Sequence, residues 1–372
     1  MSNKNDTSAN EDVEFMKRAL RLAEKGRGYV SPNPMVGAVI VKDGKIVGEG
    51  YHQKYGEAHA EVNALEQAGD LAAGATIYVN LEPCAHQGKT PPCSEKIFQA
   101  GISRVVIGMI DPNPLVNGKG VNYLRSKGVT VTEHVLEDKC RELNEGYIKY
   151  IKMGIPLITI KIAQTIDGRI ATSTGHSKWI TAQESRVMSH KLRALHDGVL
   201  VGVGTVIADD PQLTVRYTKG VSPRRIVLDS QLRVPLDANV LSPELALGTV
   251  IMTTELASKE KIARVQEKGA MVMVLEADDR GWIPQDILWN AVASLGLTSV
   301  LVEGGSVVQT ECIKGGKVDK FVIFMAPKIL GSGIDAIGDL GIRNINAALV
   351  LKEVNIKRLP GGDFLLTGKL DN

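Results

Sequence analysis

Cysteine is scarce in this chain: there are four among 372 residues, and two of them, Cys84 and Cys93, stand close together. So few thiols over such a length exclude a disulfide-stapled framework and point to metal binding or catalysis instead. Aromatic residues make up only 4%, which leaves little material for a base-stacking platform. Neither sign of charge dominates, with 44 Lys and Arg against 42 Asp and Glu, so there is no electrostatic footprint for a polyanion. Long apolar runs are missing too. Nothing approaches the roughly 20 residues of a membrane-spanning helix, and the polar opening MSNKNDTSANED lacks the apolar core of a signal peptide. The expectation is a cytoplasmic protein with neither nucleic acid nor membrane as a partner.

What is present is an ordinary globular share of hydrophobic (44%) and charged (23%) residues and a high count of 38 glycines, which suits an α/β chain with many tight turns. The length is about twice that of a typical domain and predicts two units with separate cores. After a start expected to be disordered, Val13, Met16, Leu20 and Ala23 recur at helical spacing up to a stop at Gly26. MVGAVIVKDGKIVGEGY reads as a β-hairpin turning at Asp43-Gly44. Then HAEVNALEQAG, CSEKIFQAG and VNYLRSKG read as helices, alternating with the strands ATIYVNLEP, SRVVIGMID and VTVTEHV. That order predicts an α/β/α sandwich. The pattern pauses at EGYIKYIKMGIP, which places a boundary near residue 150 and gives units 1–150 and 151–372. The second unit carries its own apolar strands, LITIKIAQT, GVLVGVG, RRIVLDS, GTVIMTT, AMVMVLE, TSVLVEGG and KFVIFMAP, and a β-rich tail from about Asn344.

The chemistry of the first half gathers around Cys84 and Cys93. His59 and Glu61 lie in HAE at a predicted helix start, Cys84 follows a strand, and Cys93 opens the next helix. One imidazole and two thiolates form a zinc set that leaves the fourth tetrahedral position to water, as a catalytic site requires; a structural site would normally close with a fourth protein ligand. Thiolates at helix starts gain from the dipole and the free N–H groups. Glu61 is then the proton shuttle, because an amine leaves well only after protonation. The set resembles the H-x-E and P-C-x-x-C signature of zinc nucleobase deaminases, although eight residues rather than two separate the cysteines here. Cys140 and Cys312 lack such partners and read as packing thiols, and His86 is either a substrate contact or a loop residue.

The long spacing PCAHQGKTPPC, with SPNPMVGAVIV, GEAHAEVNAL and DPNPLVNGKG, resembles the bifunctional pyrimidine deaminase/reductase family of riboflavin biosynthesis. KIAQTIDGRIAT, GHSKWIT, LRALHDGVLVGVGTVIADDPQLTVR, RRIVLDSQLRVP and VLVEGGS extend the resemblance through the second half. It implies a cytidine-deaminase-like first domain and a dihydrofolate-reductase-like α/β second domain, with Zn²⁺ and NADPH as cofactors. The substrate it implies is a small phosphoribosylaminopyrimidine, deaminated and then reduced in its ribosyl group. The resemblance further implies that Asn33, His86 and Lys89 meet this substrate. It implies cofactor contacts at Ala163, Trp179, Thr205, Asp209, Ser230, Gly305 and Ser306, and substrate contacts at Ser177, Arg193, Leu213, Arg216 and Glu303. His176 and Gly204 depart from the pattern, standing where an acidic and a polar residue are expected. A homo-oligomer is also expected.

Read by their own chemistry, the residues of the second half say less. GVGTVI lacks the third glycine of a dinucleotide fingerprint. In VLVEGGSVVQ, Gly304-Gly305 is either a phosphate-facing helix start or a plain tight turn. Arg193 and Arg216 suit a phosphate grip through paired donors, Trp179 offers a flat face, and Lys161, a charge inside an apolar run, is a candidate for polarising the sugar. Two other readings compete: a nucleic-acid base deaminase with a recognition domain, and a zinc-stabilised binding module without catalysis. Charge balance and sparse aromatics oppose the first.

Overall fold

A computed structural model describes residues 3–85 and 92–370, with side chains from residue 10 onward. Within it the chain divides into two units, Met1–Gly154 and Ile155–Asn372.

In the first unit, α1 (Asn3–Ala23) leads to the hairpin of β1 (Gly37–Lys42) and β2 (Lys45–Tyr51). Asp43 and Gly44 close it at φ 50° and 72°. There follow α2 (Ala60–Ala68), β3 (Thr76–Leu81), α3 (Cys93–Gln99), β4 (Arg104–Met109), α4 (Lys119–Ser126), β5 (Thr130–Thr132), α5 (Glu137–Leu143) and α6 (Glu145–Met153). The sheet runs β2-β1-β3-β4-β5, antiparallel on both sides of β1 and parallel from β3 to β5. Successive strand residues face opposite sides. Ile40, Ile77, Val79, Val105 and Ile107 therefore pack with α2, α3 and α4, while Val39, Val41, Tyr78, Val106 and Met109 meet α1, α5 and α6. This is the expected α/β/α sandwich.

Three local expectations are corrected. Helix α1 begins at Asn3, within the stretch expected to be disordered, because extending an anchored helix costs far less than starting one. The strand expected over VTVTEHV stops at Thr132, and His134 and Leu136 at φ 66° and 56° break its path. EGYIKYIKMGIP forms a helix: Tyr147, Ile148 and Ile151 recur at helical spacing and enter the core, and the stop is Gly154, left-handed at φ 71°.

The second unit opens with β6 (Leu157–Thr165), β7 (Arg169–Thr172), α7 (Gln183–Leu195), β8 (Gly198–Gly202), α8 (Val203–Asp209) and β9 (Arg224–Leu228). It continues with β10 (Thr249–Thr254), α9 (Lys259–Glu267), β11 (Met271–Leu275), α10 (Gln285–Ser294), β12 (Ser299–Val302), α11 (Ser306–Lys314) and β13 (Lys320–Ala326). After β14 (Gly333–Asp335), β15 (Leu351–Arg358) and β16 (Phe364–Leu370) complete a nine-stranded sheet, β11-β10-β9-β8-β12-β6-β13-β16-β15. The run from β11 to β13 is parallel, and β13, β16 and β15 pair antiparallel. Ile158, Leu200, Ile226 and Val300 pack on one face with α10 and α11, and Val199, Val201, Val227 and Ile251 on the other with α8 and α9. Burial on both faces is why these strands read as continuous apolar runs. Neighbouring parallel strands send their carboxyl ends to one edge, where the connections after β6, β8, β9 and β12 converge.

Candidate active sites

The first site is assembled at helix starts. His59 caps the N-terminus of α2 in extended conformation, Glu61 follows in its first turn, and Cys93 opens α3. Helix α2 lies close on β2 because that strand carries glycine: a Cβ at Gly48 or Gly50 would come within 2.3 Å of the Ala64 or Ala60 carbonyl oxygen. Cys84 is drawn in by the Cys93 and Ser94 amides, which donate to its Sγ (3.3 Å) and carbonyl oxygen (3.2 Å). His59 Nδ1 then lies 3.2 Å from Cys93 Sγ and 3.7 Å from Cys84 Sγ, with all three ligand atoms within 4.8 Å of one another. Zinc–ligand bonds of about 2.0–2.3 Å in a tetrahedron give edges of roughly 3.5 Å, so the donor set fits that ion in both kind and spacing.

Glu61 stands beside this nest at 3% exposure, and burial pushes its carboxyl up to about 7 against the opposing pull of His59. The hydrogen bond to Cys84 raises His59 to about 9, and the bond from Cys93 brings Cys84 down to about 4. Asn33 is oriented by His52, whose Nδ1 donates to the Ala58 carbonyl (3.1 Å), leaving Nε2 to accept from Asn33 Nδ2 (3.1 Å). The segment bearing Asn33 is clamped at Met35 by Asn80 and Asn144. The buried Glu82 accepts from the amides of Asp111, Gly118 and Gly120, tying the loop before α4 to the strand end that carries Cys84. His86 and Lys89 lie outside the described residues. His52, Asn80 and Glu82 were not picked out from the sequence; the one available signal was Asn80, a polar residue inside an apolar strand.

The second site is a cavity of about 490 Å³. Lys161, Ala163, Ser177, Trp179, Arg193, Thr205, Asp209, Leu213, Arg216, Glu303 and Gly305 all line it. Ser230 and Ser306 lie outside its wall: Ser230 follows β9 and accepts from the Thr254 amide, and Ser306 opens α11. At the centre, Arg193 grips Glu303 bidentately (Nε–Oε1 2.6 Å, Nη2–Oε2 2.9 Å) and Lys161 Nζ lies 3.4 Å from Glu303 Oε2. Burial pushes Glu303 up, but Arg193 and then Lys161 outweigh it and hold the carboxyl at about 2. Arg193 also donates to the Thr214 carbonyl (3.1 Å), so its fork anchors Glu303 and a loop at the cavity wall. Arg216 is exposed and bonds Gln212. Trp179 is 64% exposed, with the Arg186 guanidinium 4.4 Å from its ring centre.

Of the two readings of Gly304-Gly305, the structure shows a helix start: α11 opens at Ser306 behind Gly305, which lines the cavity. A Cβ on Gly304 would meet Val308 at 2.8 Å, so this glycine permits close packing of α11, and Gly305 caps that helix at φ −69°. Gly204, one of the two departures noted above, has open space at its Cβ position. His190, Tyr217 and Gln309 also line the cavity and were not foreseen.

A three-ligand metal nest with a buried acid, mounted on an α/β/α sandwich, defines a zinc-dependent deaminase, and the chain joins it to a reductase-type α/β unit. Residues 9–109 match the cytidine and deoxycytidylate deaminase zinc-binding region and residues 156–363 the RibD C-terminal domain. The chain belongs to the RibD family of riboflavin biosynthesis proteins. Riboflavin biosynthesis protein RibD of Aquifex aeolicus is 50% identical over 356 residues, 95% of this chain and 97% of that one. The Escherichia coli protein of the same name is 40% identical over 87% of this chain and 89% of its own. Among solved structures, the diaminohydroxyphosphoribosylaminopyrimidine deaminase/5-amino-6-(5-phosphoribosylamino)uracil reductase of Thermotoga maritima aligns with TM-score 0.85 and 37% identity, covering 98% of this chain and 100% of that one. Acinetobacter baumannii RibD aligns with TM-score 0.87 at 35% identity over the same shares. The chain is a bifunctional deaminase and reductase, with zinc and NADPH as its cofactors.

Proposed function

We propose that His59, Cys84 and Cys93 hold the zinc ion and that Glu61 is the acid/base of the deamination. The substrate is 2,5-diamino-6-(5-phosphoribosylamino)pyrimidin-4(3H)-one, and its 2-amino group is replaced to give 5-amino-6-(5-phosphoribosylamino)uracil. Zinc, when bound, supplies an activated water at neutral pH. Glu61 holds the proton between water and amine: burial lifts it to about 7, so it both accepts and returns a proton near neutrality. Asn33, its Nδ2 engaged by His52, turns its carbonyl oxygen toward donors on the pyrimidine. His86 and Lys89 complete the substrate contacts.

In the second unit the product's ribosyl group is reduced to ribityl, with NADPH supplying the reducing equivalents. Ala163, Trp179, Thr205, Asp209, Ser230, Gly305 and Ser306 hold that cofactor. Ser177, Arg193, Leu213, Arg216 and Glu303 hold the substrate, and Arg193 also fixes the Glu303 carboxylate in place. Lys161 donates to the sugar oxygen that must gain a proton. The observation that carries the whole reading is the buried Glu61 beside three ligand atoms of zinc type and spacing. Feeding the purified protein zinc, the diaminopyrimidine phosphate and NADPH, and following ammonia and cofactor oxidation separately, tests both halves. NADPH oxidation unchanged in Lys161→Ala would remove that lysine from the scheme.

The boundary between the activities is placed near residue 150, and the protein works in the cytoplasm as a homo-oligomer. Among the described residues no helix is long and apolar enough to cross a membrane. The exposed edge strand β15, with Val354 and Ile356 and the adjacent Val350 open to solvent, supports self-association. A concentration series in sedimentation that shows monomer throughout would overturn that part.

A further inference from the structure

The reductase cavity contains one buried ring that the proposed scheme does not use. His190 lies on α7 one turn before Arg193, is 5% exposed, and lines the cavity. Its Nδ1 accepts the backbone N–H of Arg216 at 3.0 Å. An imidazole nitrogen that accepts a hydrogen bond carries no proton, so the ring's proton sits on Nε2. Among the described residues that N–H has no hydrogen-bond partner. The ring is held in orientation on two sides, by the Arg216 amide and by Tyr217, whose ring centre is 4.5 Å away. His190 lines the cavity, which is the place from which an acceptor for this N–H can arrive.

We infer that His190 presents Nε2–H as a neutral hydrogen-bond donor to an oxygen of the substrate's phosphoribosyl arm, making it a specificity-determining contact of the reductase. This rests on the reductase reading above. The choice of ligand follows from the neighbours. His190 is bonded to the backbone of Arg216 and lies in the field of Arg193, Arg216 and Lys161, three cations against the one Glu303 carboxylate. Those cations favour the anionic arm, and burial together with Arg193 and Arg216 holds the ring neutral by bringing it down to about 4. The same Nδ1 bond makes His190 a positioning residue for the loop that carries Leu213 and Arg216, so its two nitrogens have separable roles.

Two amide variants separate them. Asparagine places its Oδ1 near the position of Nδ1 and keeps the acceptor for the Arg216 amide, but it does not reach Nε2. Glutamine places an N–H near Nε2. With 5-amino-6-(5-phosphoribosylamino)uracil and NADPH as the two varied substrates, His190→Asn is expected to raise the KM for the aminouracil about tenfold. Its KM for NADPH and its melting temperature should stay close to wild type, and His190→Gln should recover most of the loss. An unchanged aminouracil KM in His190→Asn overturns the contact. So does a parallel loss of NADPH affinity and melting temperature, which marks a purely structural residue. Wild-type protein that oxidises no NADPH with this substrate overturns the reaction itself and the contact with it.

Discussion

The two sites of this chain treat protons in opposite ways. In the first unit the acidities of the central groups are drawn toward neutrality or reversed: Glu61 rises to about 7 through burial, His59 to about 9, and Cys84 falls to about 4. In the second they are driven away from it, with Glu303 held at about 2 and His190 at about 4. A hydrolytic deamination must move a proton twice, which requires a group poised near the working pH. The reductase cavity has to hold a charged arm and a cofactor in fixed places, which a locked charge pattern does best. The contrast teaches that burial by itself does not set the outcome. Glu61 and Glu303 both have buried carboxylates, and what separates them is the bidentate Arg193, with Lys161, beside one of them.

The sharpest way to break this comparison is Glu61→Gln, which should cut ammonia release by about 10²–10⁴-fold while the zinc content, and NADPH oxidation with 5-amino-6-(5-phosphoribosylamino)uracil supplied directly, remain. A zinc-free variant would show instead that Glu61 helps hold the metal. Next in size is Arg193→Met, which leaves the Glu303 carboxylate only the longer contact to Lys161. It should destabilise the second unit by about 3–5 kcal/mol, as removal of one partner from a buried pair does. Adding Glu303→Gln should restore much of that, and denaturant melts of the single and double variants measure the coupling. A loss below about 1 kcal/mol would show that the pair behaves as a surface bridge.

The smallest effect concerns zinc and pH. Cys84 is already a thiolate at neutrality, whereas His59 near 9 and the raised Cys93 thiol must give up protons when the ion binds. Proton release makes binding tighter as pH rises, so chelator competition should show affinity increasing by up to about 100-fold per unit between pH 6 and 8. Over the same range the reductase pair keeps its charge: a depressed carboxylate contributes stability above its unfolded value, near 4.5, and loses it only as pH falls through about 2. A flat zinc affinity would erase the distinction between the halves.

Much of the first site was legible because its chemistry is local in sequence. His59 and Glu61 are two residues apart, and Cys84 and Cys93 sit at element ends that periodicity already locates. The orientation of Asn33 by His52 was not legible, since it depends on which nitrogen of the ring faces the Ala58 carbonyl. The second site was visible mainly through resemblance to a family. The pairing of Arg193 with Glu303 was not legible, since 110 residues separate them. His190 carries no signal beyond its helical spacing from Arg193.

Sequence alone determined the alternation of helices and strands, the turn at Asp43-Gly44 and the identity of the metal-type ligands, because each depends on side-chain chemistry within a few residues. Tertiary structure decided which charges neutralise one another, which nitrogen of His52 and of His190 carries its proton, and that EGYIKYIKMGIP would be a helix. The physical reason is the same in all three cases: hydrogen bonds, ion pairs and apolar contacts form between groups that only the folded chain brings within reach, and burial among them sets their strength.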